Sequence, residues 1–242
     1  MNRLVLLRFA LPAIALASIA VFVLPARGQR HVGTYPKMAP LAQYLMDRNA
    51  EIALARSAAP ASISRAARVL VLTPSGYVTA ANGSNGFTCL VDRSWMSAFD
   101  DSQFWNPKGR GAVCYNPPAS RTVLRYEYVR TKMVLSGLSK SQMYARLEAI
   151  AAKNGLPTPE PGSMSYMMSK HQYLNDSVGN WYPHLMFHEP QAVGANAGAM
   201  WGANLPASPV VMDSAHKLWP EPQTVFFVPL SKWSDGTPGP PL

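Results

Sequence analysis

His184 and His188 stand four residues apart, with Glu189 beside the second, and no other spacing in the chain looks more like a metal site. On a helix, residues four apart lie about 6 Å from each other and can share one zinc ion. On a strand they share a face but lie about 13 Å apart, at about 3.3 Å per residue, and one ion cannot bridge them. The surrounding run from Trp181 to Pro190 is aromatic and bracketed by prolines, which predicts a strand. His184 then works alone, with His171 or His216 coming from elsewhere in the chain.

Methionine offers a second chemistry. Thioethers with imidazole suit Cu(I), and Met164, Met168, His184 and His188 are the candidate ligands. A strand over residues 163–168 would turn Met167 away from Met164 and Met168, and methionine also fills irregular cores. No metal or other cofactor is therefore favoured.

Nucleophilic catalysis has raw material in Ser163, Ser165, Ser169, Asp176 and Asp213, but no G-x-S-x-G elbow, P-loop or G-x-G-x-x-G accompanies it. A secreted hydrolase would use His184 or His188 as general base with an unidentified nucleophile. Paired carboxylates would serve glycoside hydrolysis, but their separation is a property of the fold.

The leading expectation is non-covalent recognition. Six tryptophans are many for this length, and two sit beside amides: Trp105-Asn106-Pro107 and Trp201-Gly202-Ala203-Asn204. A flat ring next to an amide suits stacking on a small molecule, glycan or peptide, with hydrogen bonds at the rim. Trp105, Asn106, His184, Trp201 and Asn204 are the candidate ligand-binding residues, and the ligand an envelope or extracellular component.

That address comes from residues 1–28. Arg3 and Arg8 form a basic start, Phe9 to Val23 is apolar, and Ala26 and Gly28 are the small residues a signal peptidase needs. The apolar run is short for a membrane helix, which needs about 20 residues, so membrane contact is expected only through an uncleaved signal. The expected location is periplasmic or extracellular. The formal net charge is +9; losing residues 1–28 removes three arginines and no acid, and the mature chain stays mildly basic. Its charges are dispersed, which with export argues against a nucleic-acid partner and for weak attraction to anionic envelope surfaces.

The two cysteines, Cys89 and Cys114, are expected to form a disulfide in an oxidising compartment. Residues 29–36 read as a flexible lead and 37–57 as an amphipathic helix ended by Pro60. Residues 68–91 carry three short strands separated by Pro-Ser-Gly and Asn-Gly turns, an expected antiparallel meander. Residues 92–115 look irregular. Asn116-Pro117 opens a helix expected to reach residue 136 before Gly137, and Ser139 with Gln142 forms a capping box for the next. Strands are expected at 163–168, 182–188, 209–212 and 224–228, with a Gly/Pro-rich disordered tail over 233–242.

The predicted fold class is α+β: an antiparallel sheet packed by an N-terminal helix and a helical hairpin. Residues 37–232 are expected to form a single domain, with a possible sub-boundary at the proline-rich 156–162.

Overall fold

Asp47 accepts hydrogen bonds from the N–H groups of Asn49 and Ala50 and so opens α1, Arg48–Arg56. This helix is shorter than the 37–57 expected, because the chain before it forms a single 3-10 turn at Leu41–Gln43. The structure, a computed structural model, describes residues 33–191, 210–213 and 219–241. The signal segment at 1–28, and Trp201, Asn204 and His216, lie outside these residues.

After the short α2, Ala61–Ser64, come β1 (Arg68–Thr73), β2 (Gly76–Ala81), β3 (Thr88–Asp92) and β4 (Gly111–Tyr115). Then follow α3 (Pro117–Arg121), α4 (Leu124–Leu135), α5 (Lys140–Ala151), β5 (Met164–Met167), β6 (His184–Pro190), β7 (Val210–Asp213) and β8 (Gln223–Pro229). The eight strands form one sheet in the order β2-β1-β3-β4-β5-β6-β8-β7. The protein is α+β.

The expected meander is corrected at its third strand. β1 and β2 pair antiparallel, but β3 lies parallel to β1 on its other side. The Asn82-Gly83-Ser84-Asn85-Gly86 segment is a crossover and not a tight hairpin. Ser84 N–H donates to Ala66 O, and Arg68 N–H donates to Phe87 O. A Cβ on Gly83 would sit 2.1 Å from Arg68 N, so only glycine lets the crossover lie this close to the chain before β1.

Residues 92–115 are not wholly irregular either. Gly111-Ala112-Val113-Cys114-Tyr115 is buried throughout and pairs antiparallel with β3, which sets Cys89 opposite Cys114. The Cys89–Cys114 disulfide is formed, and it ties adjacent strands together. Such a bond belongs to an oxidising environment. No helix among the described residues is long and apolar enough to cross a membrane.

Strand alternation builds two cores. One face carries Val69, Cys89, Val91, Ala112 and Cys114, packed with Ala55 of α1 and with Ala58 and Ala59 of the turn that follows it. The other carries Leu70, Leu72, Leu90, Val113 and Tyr115, packed with Leu124, Tyr126 and Val134 of α4 and Met143 and Leu147 of α5. The helix expected over 116–136 is broken between α3 and α4, where Thr122 leaves helical geometry and its hydroxyl bonds back to Pro118 O. The α5 capping box is formed as its sequence predicts.

Both expected loose ends are held down where they are described. Gly33 N–H and the Tyr35 hydroxyl both donate to Asp176, so residues 33–36 are anchored. In the tail, Trp233 is buried, Ser234 N–H donates to Met168 O, and its hydroxyl donates to Ser57 O. Composition missed these anchors because each depends on partners remote in sequence. Across the proline-rich 156–162 segment, β4 and β5 are hydrogen-bonded neighbours.

Candidate functional site

A partly enclosed cavity of about 250 Å³ lies on the α4 side of the sheet. Its floor is one face of four strands: Tyr115 of β4, Met167 of β5, Met186 and His188 of β6, and Val225 and Phe227 of β8. Register explains the grouping, because Tyr115 pairs with Ser165, Ser165 with Met186, and Met186 with Phe227. Directly paired residues point to the same face. Val123, Tyr126 and Glu127 roof it from the start of α4, and Trp219 borders it. The lining is mainly apolar.

Its polar end is a pair of carboxyls. Asp92 closes β3 and Glu127 lies in the first turn of α4. The two carboxyls lie within reach of each other, so that a proton on one can be shared with its neighbour. Burial pushes Asp92 well above the usual carboxylate range, and the neighbouring Glu127 charge pushes it further. Burial also raises Glu127 to about 7, against the hydrogen bonds from Tyr115 and Asp92 that favour its ionised form. The two titrate as a unit. The Tyr115 hydroxyl donates to Glu127 Oε1 at 3.0 Å, and burial keeps that phenol neutral. Apart from the proton they share, Asp92 Oδ1 and Glu127 Oε2 have no hydrogen-bond partner.

The arginines around the cavity are committed elsewhere. Arg93 bonds Glu51, Tyr44 O and Val91 O. Arg110 bonds the carbonyls of Gln43, Pro107 and Gly109. Arg130 grips Glu221 through two nitrogens at 2.6 and 2.9 Å and bonds Trp95 O and Ser97 O. Its guanidinium also lies 4.5 Å from the Phe99 ring centroid and 5.1 Å from that of Trp219, which fixes the edge of the cavity.

A second polar group enters from the sheet. Ser165 Oγ lies 3.0 Å from His188 Nε2, and His188 Nδ1 lies 3.0 Å from Gln223 Oε1. With Nδ1–H donating to the amide oxygen, Nε2 accepts from the serine. This has the connectivity of nucleophile, base and orienting group. Ser165 is fully buried, however, and it does not line the cavity, whereas His188 and Gln223 do. Burial lowers His188 to about 4, so the ring is neutral at physiological pH.

The residues singled out by sequence are scattered. His184 lies on β6, as the strand reading requires, with its Nδ1 on Tyr182 O and its ring edge-on to Trp181 at 4.7 Å. It does not line the cavity. Trp105 is buried and edge-on to Phe104, which removes it from any exposed stacking surface. Asn106 is fully buried, and its side chain serves Gln103, Asp176 and the Lys108 N–H. These two hold the 103–108 loop together and are not free for a ligand. Met164 alternates with the buried Ser165 and Met167 along β5, so it lies on the opposite face from Met186 and His188. Met168 is buried beyond the strand end. Among the described residues no cluster of three or more His, Cys, Asp or Glu groups could hold a metal ion.

Sequence reading missed Asp92, Tyr115, Glu127 and Gln223. One signal was available: Glu127 falls in the buried stripe of Val123, Arg130, Thr131 and Val134. An acid at helical spacing with Val123 and Val134 falls on the inward face, and a buried acid is a site candidate. No protein-family model matches the chain, and comparison with curated proteins and with solved structures gives no match.

Proposed function

We propose that this protein is an exported binder of a small molecule, which it holds without covalent chemistry in the cavity between α4 and the sheet. The supporting observation is an apolar space of about 250 Å³ ending in convergent polar groups, Asp92, Glu127 and Tyr115. An apolar cavity of about 150 Å³ accepts benzene, so this one has room for a two-ring molecule. Its mainly apolar walls suit a compact aromatic or aliphatic ligand better than a glycan or an extended peptide. The disulfide and the N-terminal segment support a periplasmic or extracellular setting. Calorimetry with 2-naphthylmethanol tests the reading. Binding is expected in the mature wild type and lost in Met186→Phe, which narrows the cavity. Binding that is absent, or that survives the filled cavity, overturns it.

A hydrolase is the second reading, favoured by the Ser165–His188–Gln223 chain. It requires the β5 region to open, because Ser165 is sealed. A fluorophosphonate that labels Ser165 in wild type but not in His188→Gln would support it, and an unlabelled serine would remove it.

A further inference from the structure

We propose that the ligand carries a protonated amine, which docks on the Asp92–Glu127 pair while its apolar body fills the cavity. This deepens the cavity-binding reading and rests on it.

The pair lacks a counter-charge of its own. Neither Asp92 nor Glu127 takes part in an ion pair among the described residues, although five such pairs are present there. Glu127 is almost wholly buried, lines the cavity, and its Oε2 lacks a partner apart from the shared proton. A buried carboxylate without a cation or a full set of donors is costly, and natural folds seldom keep one without use. The charged and titratable groups facing the pair come from every neighbouring element. Tyr115 is on β4 and Tyr77 on β2, Arg93 follows β3, Arg130 is on α4, and Glu221 precedes β8. Both arginines are already satisfied, Arg93 by Glu51 and Arg130 by Glu221. Neither can turn to Asp92 or Glu127 without abandoning a buried acid.

An ammonium group supplies what is absent. When the pair holds one proton it carries one net negative charge, and an ammonium beside it makes a neutral buried assembly. Its N–H groups can serve Asp92 Oδ1 and Glu127 Oε2, the two oxygens of the pair to which no other group among the described residues donates a hydrogen bond. The aromatic rings of Tyr126, Trp219 and Phe227 border the same space and favour a cation over an anion. A carboxylate ligand would place a second negative charge there.

An isosteric series tests this at pH 8, where Glu127 has lost its proton, Asp92 is held protonated and the amine is protonated. The probes are 2-naphthylmethylamine, 2-naphthylmethanol and 2-naphthoate, measured by calorimetry on the mature protein. The amine should bind at least about tenfold more tightly than the alcohol, the scale of one charge-assisted hydrogen bond, and the carboxylate more weakly than either. Asp92→Asn/Glu127→Gln should erase the amine's advantage, so that amine and alcohol bind the variant within about threefold of each other. Alcohol binding without an amine preference overturns the amine proposal alone, as does a preference that survives the double variant. Failure of all three probes overturns the cavity reading with it.

Discussion

The Tyr115 hydroxyl on β4 donates to Glu127 Oε1 on α4 at 3.0 Å, joining the sheet to the helix across a buried interface. With protonated Asp92, this hydroxyl is one of two uncharged donors that favour ionised Glu127, whose carboxyl burial has raised to about 7. Tyr115→Phe removes the donor and keeps the ring. The Glu127 carboxyl should then hold its proton to higher pH, which carbon NMR of labelled glutamate reads directly. An unchanged titration would show that the hydrogen bond contributes nothing to the state of the pair.

The carboxyl pair and the two strand histidines act on stability in opposite directions. Glu127 is raised in the folded state, so its protonated form is favoured there. Stability it contributes at low pH is lost as pH rises from about 4.5 through about 7. His184 and His188 are lowered to about 4 by burial, so the unfolded chain binds protons first. Their contribution is lost as pH falls from about 6.5 through about 4. Asp92→Asn/Glu127→Gln should therefore raise the urea midpoint at pH 8, by roughly 1–3 kcal/mol in stability, and change it little at pH 5. In that background acid destabilisation should steepen, because the opposing contribution of the carboxyl pair is gone. A double variant less stable at pH 8 than at pH 5, each relative to wild type, would refute the sign.

The Cys89–Cys114 bond closes a loop of 25 residues. Chain entropy gives such a loop roughly 3.5 kcal/mol of stabilisation. Replacing both cysteines with alanine should lower unfolding stability by about that amount, with a further loss from two small cavities in the α1-side core. Denaturant unfolding of the variant checks it, and a loss below about 1 kcal/mol would show that the bond adds little to this sheet.

Asp176 gathers the N–H of Gly33, the hydroxyls of Tyr35 and Tyr173, the Asn106 amide and the Lys108 ammonium on one carboxylate. Asp176→Ala leaves those donors without their acceptor and should cost roughly 2–4 kcal/mol. It should also release residues 33–36, seen as faster hydrogen exchange and new protease cleavage there. Unchanged protection at Gly33 and Tyr35 would mean that other contacts hold the segment.

Legibility followed the range of the signal. The α5 capping box, the Asn116-Pro117 helix start and the stop at Gly137 were readable because each depends on neighbours a few residues away. The strand character of 184–188 was readable from aromatic residues between prolines, and it separates the two histidines. The Trp-Asn pair at 105–106 was misread because composition cannot tell a ring that plugs a loop from one that faces solvent.

By itself the sequence determined the α5 cap, the helix start at Asn116-Pro117, the strand at 184–188, the pairing of its only two cysteines, and two faces per strand, since these follow from backbone geometry and residue type. Tertiary structure alone decided that β3 runs beside β1 in parallel, and that Asp92, Tyr115 and Glu127 meet at one end of a cavity. Those distances are set by sheet register and by where α4 docks. Both depend on burying whole faces at once, and neither can be read from the neighbours of any single residue.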